Sequence, residues 1–180
     1  MKNLKFVLIL FIIGNTVQAQ KYMTQNGTIS FFSSTPVEDI EAVNNQVSAV
    51  LNAESGQIAS VLLLKAFNFE KALMQEHFNE KYVESEKFPK STFKGEILDY
   101  ENLTVGESPT NVTIKGKLTI HGVTQEIEVQ GTLSSKQSVM NLIFDFDVDV
   151  ADYDIEIPGP VKEKIAKTIK VKATFTMNKV

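Results

Sequence analysis

Gly116-Lys117-Leu118-Thr119-Ile120-His121-Gly122-Val123-Thr124 reads as a strand that runs into a tight turn and out again. Alternation sends Leu118 and Ile120 to one face, and the returning strand places Ile127, Val129 and, past Gly131, Leu133 on its matching face. His121-Gly122 is the turn between the two arms. A period of two on both sides of a short turn predicts antiparallel β-structure with one buried face. The rest of the chain reads as strands added around that hairpin.

Downstream, 139–153 and 168–177 continue the alternation, with Ile169, Val171, Ala173, Phe175 and Met177 sharing one face. Ser134-Ser135-Lys136 is the polar turn before the first of them. Ile157-Pro158-Gly159-Pro160 breaks the chain before the second, and Pro160 suits the start of one or two helical turns over 161–166. Upstream of the hairpin, 91–100 is a strand with Phe93 and Ile97 on one face. Farther back, 46–53 and 57–64 pair across Glu54-Ser55-Gly56, and the apolar run 61–64 predicts a strand covered on both sides. A first strand over 28–33 ends at Thr35-Pro36, followed by a short polar segment containing Val37, Ile40 and Val43. One segment departs from the period of two. Phe69, Leu73, His77 or Phe78, and Tyr82 recur at helical spacing, predicting an amphipathic helix over 70–79. The fold class is therefore all-β, with roughly eight antiparallel strands and one inserted helix, arranged as a sandwich or a closed barrel.

Composition narrows the function. At 180 residues, one domain can bury a sizeable core without staples. The absence of cysteine excludes disulfides, thiolate metal sites, Cys nucleophiles and lipid attachment through an N-terminal Cys. With only His77 and His121, a zinc site would need carboxylates for most of its ligands. Lys2 and Lys5, the apolar run 6–13 and the small-residue site Val17-Gln18-Ala19 read as a signal peptide over 1–19, cleaved after about Ala19, with the domain over 20–180. Removing Lys2 and Lys5 leaves 16 basic against 22 acidic side chains, a formal charge of −6. An acidic, exported, cysteine-free chain without a basic cluster points to the bacterial periplasm or the extracellular space, and away from nucleic acid. No stable membrane span remains after cleavage, since the apolar run is too short.

No constellation of residues carries chemistry. Asp145, Asp147, Asp149, Asp152, Asp154 and Glu156 approach a calcium-loop spacing, but Val150 stands where that loop needs Gly. Phe144, Phe146 and Val148 interleave with the acids, as on a strand with one wet face, whose charge Lys170 or Lys172 on a neighbouring strand would relieve. Glu76-His77 lacks the second His of a helical zinc motif. His77 reads as a rim residue, and His121 as a turn residue satisfying a backbone carbonyl. No nucleophile elbow, phosphate loop or dinucleotide fingerprint is present, so no catalytic, metal or cofactor residues are assigned. What remains is apolar: twelve phenylalanines, and no tryptophan.

The Gly116 to Thr124 string, Phe88-Pro89 with Phe93, and Met74-x-x-His77-Phe78 together resemble the YceI family of exported, lipocalin-like proteins, across about 28–177. The resemblance implies an eight-stranded antiparallel barrel with a helix near one opening and an apolar tunnel for a polyisoprenoid, of quinone or prenyl-diphosphate type. Phe93, Leu118, Ile120, Ile127, Val129, Phe144, Phe146, Val148, Val171 and Phe175 are the expected tunnel wall, and His77, Phe78, Tyr82 and Phe88 the expected mouth. At about 0.8 kcal/mol per buried carbon, a forty-carbon chain offers roughly 30 kcal/mol gross, above the practical ceiling of about 18–21 kcal/mol for non-covalent binding. Such a binder needs no charged anchor. The expected partner is an isoprenoid or other long-chain lipid, and the chain could also pair as a homodimer. The alternatives are a barrel with a filled core that contacts a protein partner, and an enzyme using His77 with Glu76 or Glu80 on a lipid head group.

Overall fold

The computed structural model describes residues 20–180. The signal-peptide reading of 1–19 lies outside the described residues. The strands are β1 (Lys21–Ser34), β2 (Asp39–Asn52), β3 (Gln57–Leu63), β4 (Asn68–Phe69), β5 (Lys90–Ile97), β6 (Thr110–Ile120), β7 (Val123–Lys136), β8 (Val139–Asp149) and β9 (Thr168–Lys179). All pairings are antiparallel, in the order β1-β9-β8-β7-β6-β5-β3-β2, and β2 pairs back onto β1. The sandwich alternative is thereby excluded: eight strands close a barrel. The two-residue β4 stands apart, on the edge of β2. Among the described residues, no helix is long and apolar enough to cross a membrane.

The β6–β7 hairpin takes the expected register. Leu118 faces Gln125 and Ile120 faces Val123 across the turn, where His121 (φ 51) and Gly122 (φ 78) both have positive φ. That is the two-residue turn whose twist matches the strands. The Phe88 ring packs so closely on Gly122 that a Cβ there would lie 2.5 Å from it. Behind the hairpin, Gly95 and Gly116 stand opposite one another on β5 and β6, and a Cβ on Gly116 would meet the Lys94 carbonyl oxygen at 2.5 Å. Outside the barrel, Lys115 faces Glu128 and Lys117 faces Glu126, while Asp145 and Asp147 face Lys172 and Lys170. The acidic strip is therefore the wet face of β8, opposed by lysines as cross-strand pairing favours.

The first third of the chain differs from expectation. The polar segment after Pro36 belongs to β2, and β1 begins seven residues before the expected start at Thr28. Both strands change phase. The β1 register with β2 shifts between Thr24 and Ile29, and on β2 the inward positions pass from Ala42 and Asn44 to Val47, Ala49 and Leu51. Such bulges break the period of two that a reader of the sequence follows. Asn44 sits at the break, 0% exposed. Its Nδ2 donates to the Leu63 carbonyl at 3.0 Å and its Oδ1 accepts from the Gln46 N–H at 2.8 Å. There β2 and β3 part: β3 pairs with Ser48 to Leu51 of β2, whereas Ala42 and Val43 pair with Phe69 and Asn68 of β4.

Other boundaries move for local reasons. The expected helix over 70–79 is α1 (Ala72–His77), continued by a wider π-turn (Phe78–Tyr82). The wider turn lets Phe78 turn inward onto Phe31, Phe67 and Phe69. β8 ends at Asp149, whose side chain accepts the Ala151 N–H at 3.0 Å and caps a 3₁₀ turn (Val150–Tyr153). The run 61–64 is covered on one face only, since Leu62 and Leu64 are buried while Val61 and Leu63 are exposed. The turn between β7 and β8 falls at Gln137 (φ 56), later than Ser134 to Lys136.

Asn44→Ala should remove both bonds from the Leu63 carbonyl and the Gln46 N–H, at a cost of about 0.5–1.5 kcal/mol for each. A urea melt checks this by a lower midpoint at unchanged slope.

Candidate functional site

The inward faces of the strands are not packed alike from end to end. On β9, Met177, Phe175 and Ala173 are fully buried while Val171 and Ile169 are half-buried. On β8 Met140, Leu142 and Phe144 are buried and Phe146 is half-buried, with Val148 beyond it buried again, and on β6 burial falls from Ile114 through Leu118 to half-buried Ile120. These gradients point the same way. The end carrying the first residues of β1 and the last of β2 is a solid core, and the end nearest α1 holds a cavity of about 460 Å³.

Strand residues make its wall: Ile29 and Phe31 from β1, Leu62 from β3, Leu118 and Ile120 from β6. Phe146 and Val148 of β8 and Ile169 and Val171 of β9 complete it. The roof is built from the two irregular segments. The split between β2 and β3 admits 64–69, and Phe67 and Phe69 join Phe31 and Phe78 in a cluster of rings with centroids 5.1–5.7 Å apart. Leu73, Met74, His77 and Tyr82 cover the mouth from α1 and the π-turn, and Leu73 is 60% exposed. Burial holds the Tyr82 phenol above its ordinary pKa, keeping it a hydrogen-bond donor. On the other side, Ile155, Ile157, Val161 and Ile165 close over the wall, where the Ala166 N–H donates to Ser33 Oγ at 2.9 Å and the Val150 N–H to the Lys167 carbonyl at 3.1 Å.

Of the expected tunnel wall, Leu118, Ile120, Phe146, Val148 and Val171 line this cavity. Phe93, Ile127 and Phe144 reach only a separate void of about 30 Å³ beneath it. Val129 and Phe175 face inward but lie in the solid core, because neighbouring side chains fill the barrel at their depth. Of the expected mouth, His77, Phe78 and Tyr82 are in place, whereas Phe88 is not part of it. Phe88 packs edge-on against His121, with ring centroids 4.6 Å apart, because it covers the glycine of the hairpin turn. Sequence reading did not assign Ile29, Ile40, Leu62 or Leu64 to the site, nor the 155–165 segment. The last has no period to find, and its only signal is the recurrence of isoleucine in a loop.

Charge is confined to the rim. Lys71 Nζ donates to Glu38 Oε1 at 2.8 Å, and Lys164 completes the set of charged residues at the opening. The Lys71 hydrogen bond is the chief cause that holds the Glu38 carboxyl below its ordinary value. Nearby, His121 ties three loops together: Nδ1 meets the Tyr153 carbonyl at 3.0 Å, as its turn position suggested, and Nε2 meets Glu84 Oε2 at 2.8 Å. The His121 hydrogen bond is likewise the main reason that the Glu84 carboxyl lies below its ordinary value, with the Lys87 charge adding to it. Among the described residues, no three His, Asp or Glu side chains gather to hold a metal ion.

Barrel, helix-covered mouth and hairpin motif coincide with a known family: residues 13–177 match the YceI-like domain. The chain belongs to the YceI-like family. A polyisoprenoid binding domain from Saccharophagus degradans, implicated in plant cell wall breakdown, has the same fold with a TM-score of 0.76 at 16% identity, over 89% of this chain and 99% of that one. BcnA of Burkholderia cenocepacia follows at a TM-score of 0.70 and 14% identity, over 84% and 95%. The YCEI protein of Campylobacter jejuni has a TM-score of 0.56 at 14% identity, over 75% and 83%. At such identities the likeness concerns the YceI-like fold. None of the curated proteins matches the chain.

Because Glu38 has its pKa lowered from 4.5, its pair with Lys71 contributes above that value and is lost as pH falls through the lower, folded one. The thermal midpoint of Glu38→Gln should therefore lie slightly below that of the wild type at neutral pH. The gap should hold down to pH 4.5 and close only below it, as scanning calorimetry across pH would record.

Proposed function

We propose that this YceI-like protein is a non-enzymatic binder and carrier of a long apolar lipid, an isoprenoid of quinone or prenyl-diphosphate type, in the periplasm or outside the cell. The observation that carries this reading is the 460 Å³ cavity, walled by aliphatic and aromatic side chains with charge only at its rim. Pockets of about 300–1,000 Å³ with few polar groups suit apolar ligands, and burial of hydrocarbon alone supplies the affinity. The description of the Saccharophagus degradans domain as polyisoprenoid binding supports the same ligand class. The N-terminal segment with its short apolar run supports export.

The two alternatives have less behind them. A partner-binding barrel with a filled core does not account for an apolar cavity of about 460 Å³. An enzyme would use His77 with Glu76 or Glu80, and of these only His77 lines the cavity.

Organic extraction of the purified protein, followed by mass spectrometry, should release an amphiphile with a long hydrocarbon chain. Phe146→Asp puts an unpaired carboxylate into the wall and should reduce lipid recovery at least tenfold. Circular dichroism establishes that the variant is folded, and a folded variant with full lipid recovery would refute the proposal.

A further inference from the structure

We infer that the cavity takes a single chain of about fifteen to twenty carbons, tail first, and that the phenyl rings of Phe93, Phe144 and Phe146 set that length; the inference rests on the lipid-binding reading above. An apolar cavity of about 150 Å³ holds one benzene, or about 25 Å³ per carbon, so 460 Å³ holds about eighteen carbons. On the same scale a forty-carbon chain needs about 1,000 Å³. The excess has nowhere to go within the barrel. Beneath the cavity, the void of about 30 Å³ adds roughly one carbon. Ile29, Leu62, Ser91, Leu118 and Phe146 border both spaces and form the neck between them.

Past the neck the barrel is closed by rings. Phe144 lies 6.4 Å from Phe93, 6.0 Å from Phe146 and 5.8 Å from Phe175, centroid to centroid. Below this layer, Leu133, Leu142 and Met177 are each 0% exposed. The β6–β7 and β8–β9 ladders run unbroken past this depth, while β1–β2 shifts register twice, β1–β9 pairs nothing between Met23 and Thr28, and β7–β8 pairing ends at Gln130 and Asp145. It is therefore the packed rings rather than a continuous ladder that close the floor. The charged groups Glu38, Lys71 and Lys164 all stand at the opposite end. A charge is costly to bury among the rings, so the head group stays at the rim and the tail meets the floor.

The ligand class that follows is a single-chain amphiphile, either a prenyl chain of three or four units or an unbranched acyl chain of similar length. The test uses the full mature protein after delipidation, with 1-anilinonaphthalene-8-sulfonate as the bound probe and alcohols as competitors, which keeps the head group constant. Linear prenols of 10, 15, 20, 30 and 40 carbons form one arm and unbranched alcohols of 10 to 24 carbons the other. Affinity should rise about three- to fourfold per added carbon, then stop rising or fall beyond about twenty carbons. The arm with the tighter member at equal carbon number identifies the chain type. Phe144→Ala removes a ring the size of benzene and should move the break by about six carbons, roughly one prenyl unit. Phe144→Leu, a milder change, should move it in the same direction by less, and serves if the alanine variant does not fold. A wild-type affinity that climbs to forty carbons, or a break that stays put in a folded Phe144 variant, overturns the inference while leaving lipid binding intact. Probe displacement by no alcohol in either arm overturns the lipid-binding reading itself.

Discussion

The side chain of Asn44 occupies the place where β2 and β3 part and the barrel wall opens beneath its cover. Two neighbouring strands that diverge expose N–H and C=O groups, and burying them without partners is unfavourable. Asn44 supplies both an acceptor and a donor there, to Gln46 and Leu63, and so stands in for missing ladder bonds. The parting of β2 and β3 lets 64–69 enter the wall, carries Phe67 and Phe69 inward, and delivers α1 over the opening. Without that split, the same strands would make a barrel closed by its own side chains, as eight-stranded barrels allow.

The barrel then divides its labour along its axis. The half packed with Phe175, Met177, Leu133 and Leu142 is dense, and it supplies the stability from which an open cavity subtracts. The half beneath α1 forgoes contacts between side chains and keeps surface available to a ligand. Its cover has the features of a movable element: a six-residue helix without a side-chain cap, a π-turn, and a large apolar side chain in solvent at Leu73. The Glu38–Lys71 pair joins the β1–β2 loop to the start of that cover, through side chains that remain wet and contribute little to stability.

Much of this was legible in the chain. The period of two around Gly116 to Thr124, along β8 and along β9 places the inward side chains correctly, because one face of each strand is buried and the other is wet. The same rule separates Asp145 and Asp147 from a metal site and pairs them with Lys172 and Lys170. Where a bulge shifts the phase, as at Gln25 and Asn44, the pattern is lost and so were the true lengths of β1 and β2. Phe88, apolar and beside the motif, was read as part of the mouth, yet its place follows from Gly122, a residue 34 positions later.

By itself, then, the sequence determined the approximate strand count, the antiparallel hairpins, the family and the inward side of β5 to β9, since these depend on local alternation and turn chemistry. Only the tertiary structure decided which inward side chains meet one another and which meet a cavity. Phe175 and Val171 sit four residues apart with the same orientation, one in solid core and one in the cavity wall. The difference is their depth along the barrel axis, and the volume at each depth is filled or left open by side chains from every strand of the barrel at once. No single stretch of chain carries that sum.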